Sequence, residues 1–311
     1  MASNTRTQLI LLYMLLVFIW STTPLAIVWS VGDLAALWAL VLRFFIALPL
    51  AALILYVLNV QFPVDKIALH SYVAGSFSLI GSQLFTYIAT AYLSSGMIAL
   101  MFGLAPLMAG LIGVTLLGQK LYKLQWLGMC IAVLGLAVIC LAGENQHVQP
   151  LGIALMLMSV MSYAGSIFWV KKVNATVSPV AQATGSILVS TLLALCIVPF
   201  IWDSAPTTLP NLKTLAALLY TVVMASLIAM FCYFKLVKSI PATTLSLTTV
   251  MTPMLAIFMG AWLNQEHISM WVFLGAAILL CGLGLYFYRD FKVSRELQRK
   301  LKSAAMQHEQ P

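Results

Sequence analysis

The sequence contains little charge. Only 8% of its 311 residues are Asp, Glu, Lys or Arg, whereas 62% are hydrophobic. A soluble protein of this size needs far more charged side chains to cover its surface, so the composition excludes a soluble globular protein. Apolar runs of about 20 residues recur along the chain, and each spans roughly 30 Å of bilayer when helical. The sequence therefore predicts an all-α polytopic membrane protein.

The chain also lacks the motifs of common membrane enzymes and pumps. It has no GxxxxGK(S/T) loop for ATP, no HExxH motif, and no pair of Asp residues inside the apolar runs. No Asp or Glu falls within a predicted span, so no carboxylate is available there to relay protons. The five cysteines show no CxxC spacing and are interpreted as small buried apolar residues. We expect no enzyme activity, no cofactor and no metal site.

Ten membrane spans are predicted from the apolar runs and from the Pro, Gly, Asn and charged residues that separate them. The first resembles a signal peptide, but nine further spans favour an uncleaved helix. The predicted spans are residues 8–29, 35–58, 68–92, 96–117, 124–142, 151–170, 179–201, 213–234, 241–263 and 269–288.

Lys and Arg are distributed unevenly between the two sides of these spans. With the N-terminus inside, fourteen of them fall in cytoplasmic segments, only Lys213 falls in an outward loop, and Arg43 remains within a span. Positive residues are retained on the cytoplasmic side. This topology explains most of the net charge of +8, so we expect the lipid bilayer as a partner and no nucleic acid. The prediction is a multi-pass protein of the bacterial inner membrane with both termini cytoplasmic.

Residues 104–136 and 251–283 repeat one another at an offset of 147 residues. Nine positions are identical without gaps. The shared Pro and Gly are the strongest evidence for a repeat, because each of these residue types is selected by a particular backbone conformation. Each half has five spans, so the second half enters the membrane in the opposite sense. This is the inverted-repeat plan of secondary transporters, whose substrate site lies near the midplane. The matched Pro and Gly are Pro106/Pro253, Gly113/Gly260, Gly128/Gly275 and Gly135/Gly282.

The repeats also predict the domain organisation. The first repeat occupies residues 7–143 and the second residues 150–289. Residues 290–311 form a basic tail that we expect in the cytoplasm, against anionic lipid headgroups. The glycine faces of the fifth and tenth spans suit a homodimer or packing within one chain equally well.

Arg43 is the charged residue inside a predicted span. It lies about nine residues into the second span, roughly 13 Å below the outer boundary. Arginine at such depth is costly and normally faces the protein interior or a water-filled cavity. We predict that it binds a carboxylate or phosphate of a substrate, or holds a gate. The alternative is that it binds helix-end carbonyls or extends to the outer interface.

Polar side chains form stripes on one face of several spans, and in lipid they must face protein or water. Hydrogen bonding between helices explains each of them singly, whereas their convergence favours a central polar cavity. In the first span, we expect Pro24 to interrupt the helix and expose polar backbone. Pro24, Pro106 and Pro253 are predicted hinges. The predicted cavity or gate residues are Arg43, Trp20, Ser21, Thr22, Gln83, Tyr87, Tyr163, Ser166, Ser186, Thr248 and Thr252.

Together these features resemble the EamA family of the drug/metabolite transporter superfamily, over residues 7–288. The resemblance implies ten helices, a central cavity lined mainly by spans 1–4 and 6–9, and export of small metabolites such as amino acids. The family usually has Glu where this chain has Gln119, although Glu266 is kept. The matching residues are Trp20-Ser21, Arg43-Phe44, Tyr87, Ala105-Pro106-Leu107, Gly128 and Gly135, then Tyr233, Thr252-Pro253-Met254, Glu266, Gly275 and Gly282.

We therefore expect a secondary transporter that exports a small metabolite across the inner membrane by alternating access. Uptake through the same fold is one alternative. A membrane enzyme or structural protein without flux is another, which the missing catalytic motifs disfavour. The absence of a buried carboxylate favours movement down the gradient of the substrate over proton coupling.

Overall fold

The computed structural model describes residues 2–118, 121–141, 149–239, 248–265 and 269–288. Gln119, Glu266 and the predicted tail 290–311 lie outside these residues. The domain boundaries therefore stay a prediction.

The described residues form ten helices, α1–α10, one for each predicted span. The ends of the helices differ from the predicted ends by a few residues, and α9 is described only from Thr248. A 3₁₀ turn, Trp202–Ser204, follows α7. The helices are α1 Ala2–Ser30, α2 Ala36–Val57, α3 (Lys66–Ser76, the π-helical Phe77–Gly81 and Ser82–Ala89), α4 (Ser95–Phe102 and Ala105–Leu117), α5 Lys123–Leu141, α6 Pro150–Val173, α7 Pro179–Ile201, α8 (Leu212–Tyr220, the π-helical Thr221–Ile228 and Ala229–Ser239), α9 Thr248–Leu263 and α10 Met270–Tyr288.

The sequence marks many of the helix ends with capping residues. The side chain of Asp65 accepts hydrogen bonds from the first turn of α3, and Ser178 and Asn211 do the same for α7 and α8. At the other end, α4 is followed by Gly118 at φ 62° and α6 by Asn174 at φ 49°, the left-handed conformation that closes many helices. These capping residues explain why the helices begin or end at these positions.

The repeat extends over whole helices. Adding 147 to the limits of α5 (123–141) gives 270–288, which are the limits of α10. The same shift moves the π-helical residues 77–81 of α3 to 224–228, inside the π-helical segment of α8. A π-helical turn is a rare local irregularity. Its presence at matching places confirms that the two halves share one fold.

Helices α5 and α10 pack backbone against backbone through the repeated glycines. A Cβ atom at Gly128 would lie 2.7 Å from the carbonyl oxygen of Gly282, and one at Gly282 would lie 2.6 Å from that of Gly128. Gly135 and Gly275 approach each other in the same way. The start of α5 therefore meets the end of α10, so the two helices run antiparallel, as an inverted repeat requires. The glycine faces are used within the chain.

The buried side chains form clusters between the helices, and other large apolar side chains cover the outside. Phe200 and Leu212, for example, are 88% and 82% exposed, as expected for a surface that faces lipid. The predicted burial of the cysteines is right for Cys232 and wrong for Cys130, Cys196 and Cys281, which lie on the outer surface. The physical reason is that hydrocarbon solvates a small apolar residue as well as a protein core does.

Candidate functional site

A cavity of about 350 Å³ lies between the two repeats. Its walls come from α1–α4 of the first repeat and α6–α9 of the second, whereas the described residues of α5 and α10 contribute nothing to them. We call the side of the bundle where α1 begins the near face, and the side where α1 ends the far face. Ile27 lines the cavity towards the far face, and Val170 and Gln182 line it towards the near face.

The cavity brings together most of the residues predicted for it. Ser21, Thr22, Tyr87, Thr248 and Pro106 lie outside its lining. The predicted residues that line it are Arg43, Trp20, Gln83, Tyr163, Ser166, Ser186 and Thr252, with the predicted hinges Pro24 and Pro253.

Some lining residues were not among those predicted. Ser78 and Gln182 belong to polar stripes on α3 and α7, so helical periodicity could have added them. Gly75 carries no such signal. It is needed because a Cβ atom there would clash with the hydroxyl of Ser186 and lie 2.8 Å from the amide nitrogen of Gln182.

Arg43 is buried in the wall of this cavity, with only 3% of its surface exposed. Its Nε donates a hydrogen bond to Oγ of Ser226 at 3.1 Å, and one Nη donates to Oε1 of Gln83 at 2.9 Å. The rings of Phe44 and Tyr87 lie 6.0 Å from its Cζ atom. We call Arg43, Gln83 and Ser226 the Arg43 clamp. It joins both repeats, because Gln83 lies on α3 and Ser226 on α8.

The charge of Arg43 has no carboxylate partner within the described residues. The acidic residues among them are Asp33, Asp65 and Asp203, which all lie in loops or at helix ends. The two acceptors of the clamp are neutral. A buried cation without a counter-ion is expensive, and an opposite charge close to it is strongly stabilised. The cavity is therefore suited to an anionic group.

Two buried hydroxyl groups at the site have no hydrogen-bond partner among the described residues. They belong to Tyr87, which packs beside Arg43, and to Thr252, which lines the cavity. Buried polar groups are almost always paired in folded proteins. The hydroxyl of Thr252, in a residue that lines the cavity, is thus a second polar group that lacks a partner in the described part of the chain.

The polar stripe on α6 mainly binds α3. The hydroxyl of Ser159 pairs with those of Ser82 and Thr86, at 2.9 and 2.8 Å. Ser162 donates to the carbonyl of Phe77 and Ser166 to that of Ala74, around the π-helical turn of α3. These serines therefore form hydrogen bonds between helices, which is the alternative interpretation of the stripe. Ser166 does this while also lining the cavity.

Aromatic rings form an apolar part of the cavity wall. Trp20 of α1 packs against Tyr233 of α8 with ring centroids 5.4 Å apart. Phe102 of α4 meets Tyr163 of α6 edge to face at 6.2 Å. Each pair joins the two repeats. Such walls favour a ligand whose body is apolar or aromatic.

Helix α1 is continuous through Pro24, so the expected interruption is wrong. The hydroxyls of Ser21 and Thr23 donate back to the carbonyls of Val17 and Ile19, both at 2.6 Å. These bonds turn the hydroxyls onto their own helix, a habit of Ser and Thr in membrane helices. Thr22 also bonds the hydroxyl of Tyr220, at 2.6 Å. Ser21 and Thr22 do not line the cavity, whereas Thr23 does.

The predicted hinges Pro106 and Pro253 lie in different backbone environments. Helix α4 is interrupted at residues 103–104, and Pro106 lies in the first turn of its second part. Pro253 instead lies inside the continuous α9. The two places touch, since a Cβ atom at Gly103 would lie 3.2 Å from Cγ of Pro253. Whether these prolines act as hinges stays a prediction.

At the far face, the end of α1 is tied to the second repeat. The indole nitrogen of Trp29 donates to Oδ1 of Asn264 at 2.7 Å. Nζ of Lys213 lies 4.3 Å from the centre of the same indole ring. The backbone N–H of Asn211 donates to the carboxylate of Asp33 at 2.7 Å. These three contacts, the far-face contacts, hold the loop after α1 against the start of α8 and the end of α9.

Comparison with known proteins places these features in a family. The model of the EamA-like transporter family matches residues 7–141 and 150–288. The inner membrane transporter YedA of Escherichia coli strain K12 is 27% identical over 216 residues, which cover 67% of this chain and 69% of YedA. PagO of Salmonella typhimurium is 24% identical over 268 residues, with 85% and 88% covered.

A crystal structure of a protein with 17% sequence identity supports the fold. It superposes with a TM-score of 0.63 and covers 92% of this chain and 99% of that protein's chain. The family model matches both repeats, and the relative YedA is named as an inner membrane transporter. The chain belongs to the EamA-like transporter family.

Proposed function

We propose that the protein exports a small, largely apolar metabolite with a carboxylate group, such as an amino acid, across the bacterial inner membrane. The observation that carries this proposal is Arg43, a buried cation in the wall of the central cavity with no acidic partner among the described residues. The family supplies the transport activity. Arg43 and the aromatic walls indicate which kind of substrate the cavity would bind.

The planar guanidinium of Arg43 is suited to bind a carboxylate by two parallel hydrogen bonds. Trp20 and Tyr163 would contact the apolar body of the substrate, and the hydroxyl of Thr252 a second polar group. A volume of about 350 Å³ is near the lower end of the range for small-molecule sites. The site therefore favours a compact metabolite over a lipid or a peptide.

Alternating access follows from the inverted repeats in this proposal. The substrate site lies between two halves that can rock against each other, which is the common mechanism of such folds. The distribution of Lys and Arg assigns the near face to the cytoplasm. No Asp or Glu lies within the described helices of the bundle interior, so we expect the gradient of the substrate to drive movement.

Metabolite profiling of culture medium tests this function. The comparison uses cells that lack the gene, express the wild type, or express Arg43→Gln at equal membrane levels. Compounds that rise in the medium with the wild type are expected to contain a carboxylate, and Arg43→Gln should lower their efflux about tenfold or more. The exposed Lys235→Gln serves as a charge-matched control with unchanged efflux.

The outcomes of this experiment separate the parts of the proposal. Equal efflux in wild type and Arg43→Gln would refute the role of Arg43. Depletion of a carboxylate compound from the medium would refute export and indicate uptake. If no compound changes, the transport of a metabolite would itself be refuted.

A further inference from the structure

The two hydrogen bonds of the Ser226 hydroxyl show that this group acts as an acceptor for Arg43. Its hydroxyl donates its single proton to the carbonyl of Thr221 at 2.9 Å. A carbonyl can only accept, so Ser226 offers a lone pair to Nε of Arg43 at 3.1 Å. Ser226 is therefore a neutral acceptor on the Nε side of the guanidinium, one of the sides through which arginine can bind a carboxylate.

The two acceptors of the Arg43 clamp are held by unusual backbone. Ser226 lies inside the π-helical segment Thr221–Ile228 of α8, and Gln83 follows the π-helical segment Phe77–Gly81 of α3 by two residues. Such turns are common at functional sites, and their hydrogen bonding differs from the rest of the helix. Arg43 thus connects the matching irregular segments of the two repeats.

The clamp has no copy at the equivalent positions. The shift of 147 residues relates Arg43 to Ser190 and Ser226 to Leu79. Ser190 is buried and donates to the carbonyl of Ser186 within its own helix, at 2.7 Å. The bond between Arg43 and Ser226 is therefore a single cross-link near the middle of the bundle, between α2 of one repeat and α8 of the other.

A carboxylate is a stronger acceptor for arginine than a serine hydroxyl. Hydrogen bonds between two charged groups are shorter and about twice as strong as those between neutral groups. A carboxylate that enters the cavity and binds Arg43 through Nε and an Nη, as a bidentate pair, would replace Ser226. The replacement removes a link between α2 and α8 at the moment of binding.

We propose that Ser226 is an internal competitor of the substrate, which holds Arg43 in the empty protein and releases α8 from α2 when an anionic group replaces it. This inference rests on the proposed function, because it assigns the same Arg43 to the substrate. It adds the step by which binding is coupled to movement of the repeats. Ser226 is a positioning residue in this scheme, since it acts through Arg43.

Binding of 3-phenylpropionate to the purified full-length protein in nanodiscs tests the competition. This probe has one carboxylate and one aromatic ring, and phenethylamine is its cationic counterpart. Ser226→Ala should bind 3-phenylpropionate about fivefold more tightly than the wild type, because one competing hydrogen bond is lost. Ser226→Thr keeps the hydroxyl and should match the wild type, as should Ser190→Ala. Neither the wild type nor any of these variants should bind phenethylamine.

A distance measurement tests the release of α8 independently of affinity. Spin labels replace Phe45 on α2 and Val223 on α8, which are 58% and 37% exposed, in a background without native cysteines. Addition of 3-phenylpropionate should shift the distribution of distances between the two spin labels in the wild type. Ser226→Ala should display part of this shift without the probe.

The possible results separate the two proposals. If Ser226→Ala binds 3-phenylpropionate equally or more weakly while the wild type binds it, Ser226 only supports Arg43 and the competition is refuted. An unchanged distance distribution on binding would refute the release. If neither the wild type nor Ser226→Ala binds the anion, or if both prefer phenethylamine, the anionic site of the proposed function is refuted as well.

Discussion

Each of the groups around Arg43 interacts only weakly with its guanidinium. Gln83 and Ser226 are neutral acceptors, and the rings of Phe44 and Tyr87 lie 6.0 Å from its Cζ atom. Cation–π contacts at this distance contribute about 1 kcal/mol each. Together these groups retain the charge in the bilayer interior and leave it available for a stronger partner.

The hydroxyl of Tyr87 leads to a prediction about stability. It is fully buried without a partner among the described residues, so Tyr87→Phe should raise the free energy of unfolding by about 1–2 kcal/mol. The melting temperature in detergent measures the effect. Tyr72→Phe is the matched control, because the hydroxyl of Tyr72 donates to the carbonyl of Pro63 at 2.8 Å. That control should lose about 1 kcal/mol. Equal losses in both variants would contradict the prediction.

At the residue scale, the site could be predicted in part. Arg43 was recognisable because a single charge inside an apolar run must be buried for a reason. Ser226 was not, since it lies 183 positions from Arg43 and no periodic pattern marks it. Ser21 and Thr22 lie outside the cavity lining, and a sequence does not reveal whether a hydroxyl turns to a cavity or to its own helix.

At the scale of helices, the contact between α5 and α10 depends on the absence of side chains. At Gly128 and Gly282 the carbonyl oxygen of each helix lies only 2.6–2.7 Å from the position that a Cβ atom of the other would take. Close approach of this kind increases van der Waals contact, which is a main force between helices in lipid. The repeated glycines are thus explained by packing.

This contact predicts a large effect of a single methyl group. Gly128→Ala and Gly282→Ala should each lower the free energy of unfolding by about 1–3 kcal/mol, because the added atom meets backbone that cannot move aside. Gly284→Ala, also on α10, is the control, since no described atom beyond the neighbouring backbone of α10 lies within 4 Å of its Cβ position. It should be neutral or slightly stabilising. Melting temperatures in detergent compare the three, and a tolerated alanine at both contact positions would contradict the packing.

The helices themselves could be predicted because bilayer thickness imposes their length and charge marks their ends. The repeat could be found from a few prolines and glycines with fixed spacing. The π-helical turns of α3 and α8 could not, because the same apolar residues suit either hydrogen-bond pattern. The interruption of α4 at residues 103–104 was placed only approximately, through Pro106.

At the scale of the whole molecule, the two repeats enclose the cavity and meet again at the far face. Trp29 is the centre of the far-face contacts, with Asn264 on its indole nitrogen and Lys213 over its ring. The cavity residue Ile27 lies two positions before it and is only 1% exposed. We expect the far-face contacts to cover the cavity on this side.

Trp29→Phe should weaken this cover while keeping an aromatic ring under Lys213. The loss of one hydrogen bond of about 1 kcal/mol should increase the open population roughly fivefold. Labelling of Ile27→Cys by an impermeant maleimide added outside the cell measures it, in a background without native cysteines. Trp262→Phe, at a lipid-exposed position, is the control. An unchanged labelling rate in Trp29→Phe would contradict the prediction.

The glycine contact between α5 and α10 has a consequence for how many substrate sites the molecule can have. Exchange of residues 147 apart turns the pair Gly128–Gly282 into the pair Gly275–Gly135, so the surface is isologous, like that of a symmetric dimer. Two separate copies of one half, inserted in opposite orientations, could meet through the same glycines. Identical copies would carry an arginine at both equivalent positions or at neither. The fused chain has Arg43 and Ser190 there, so we expect a stoichiometry of one anion per protein.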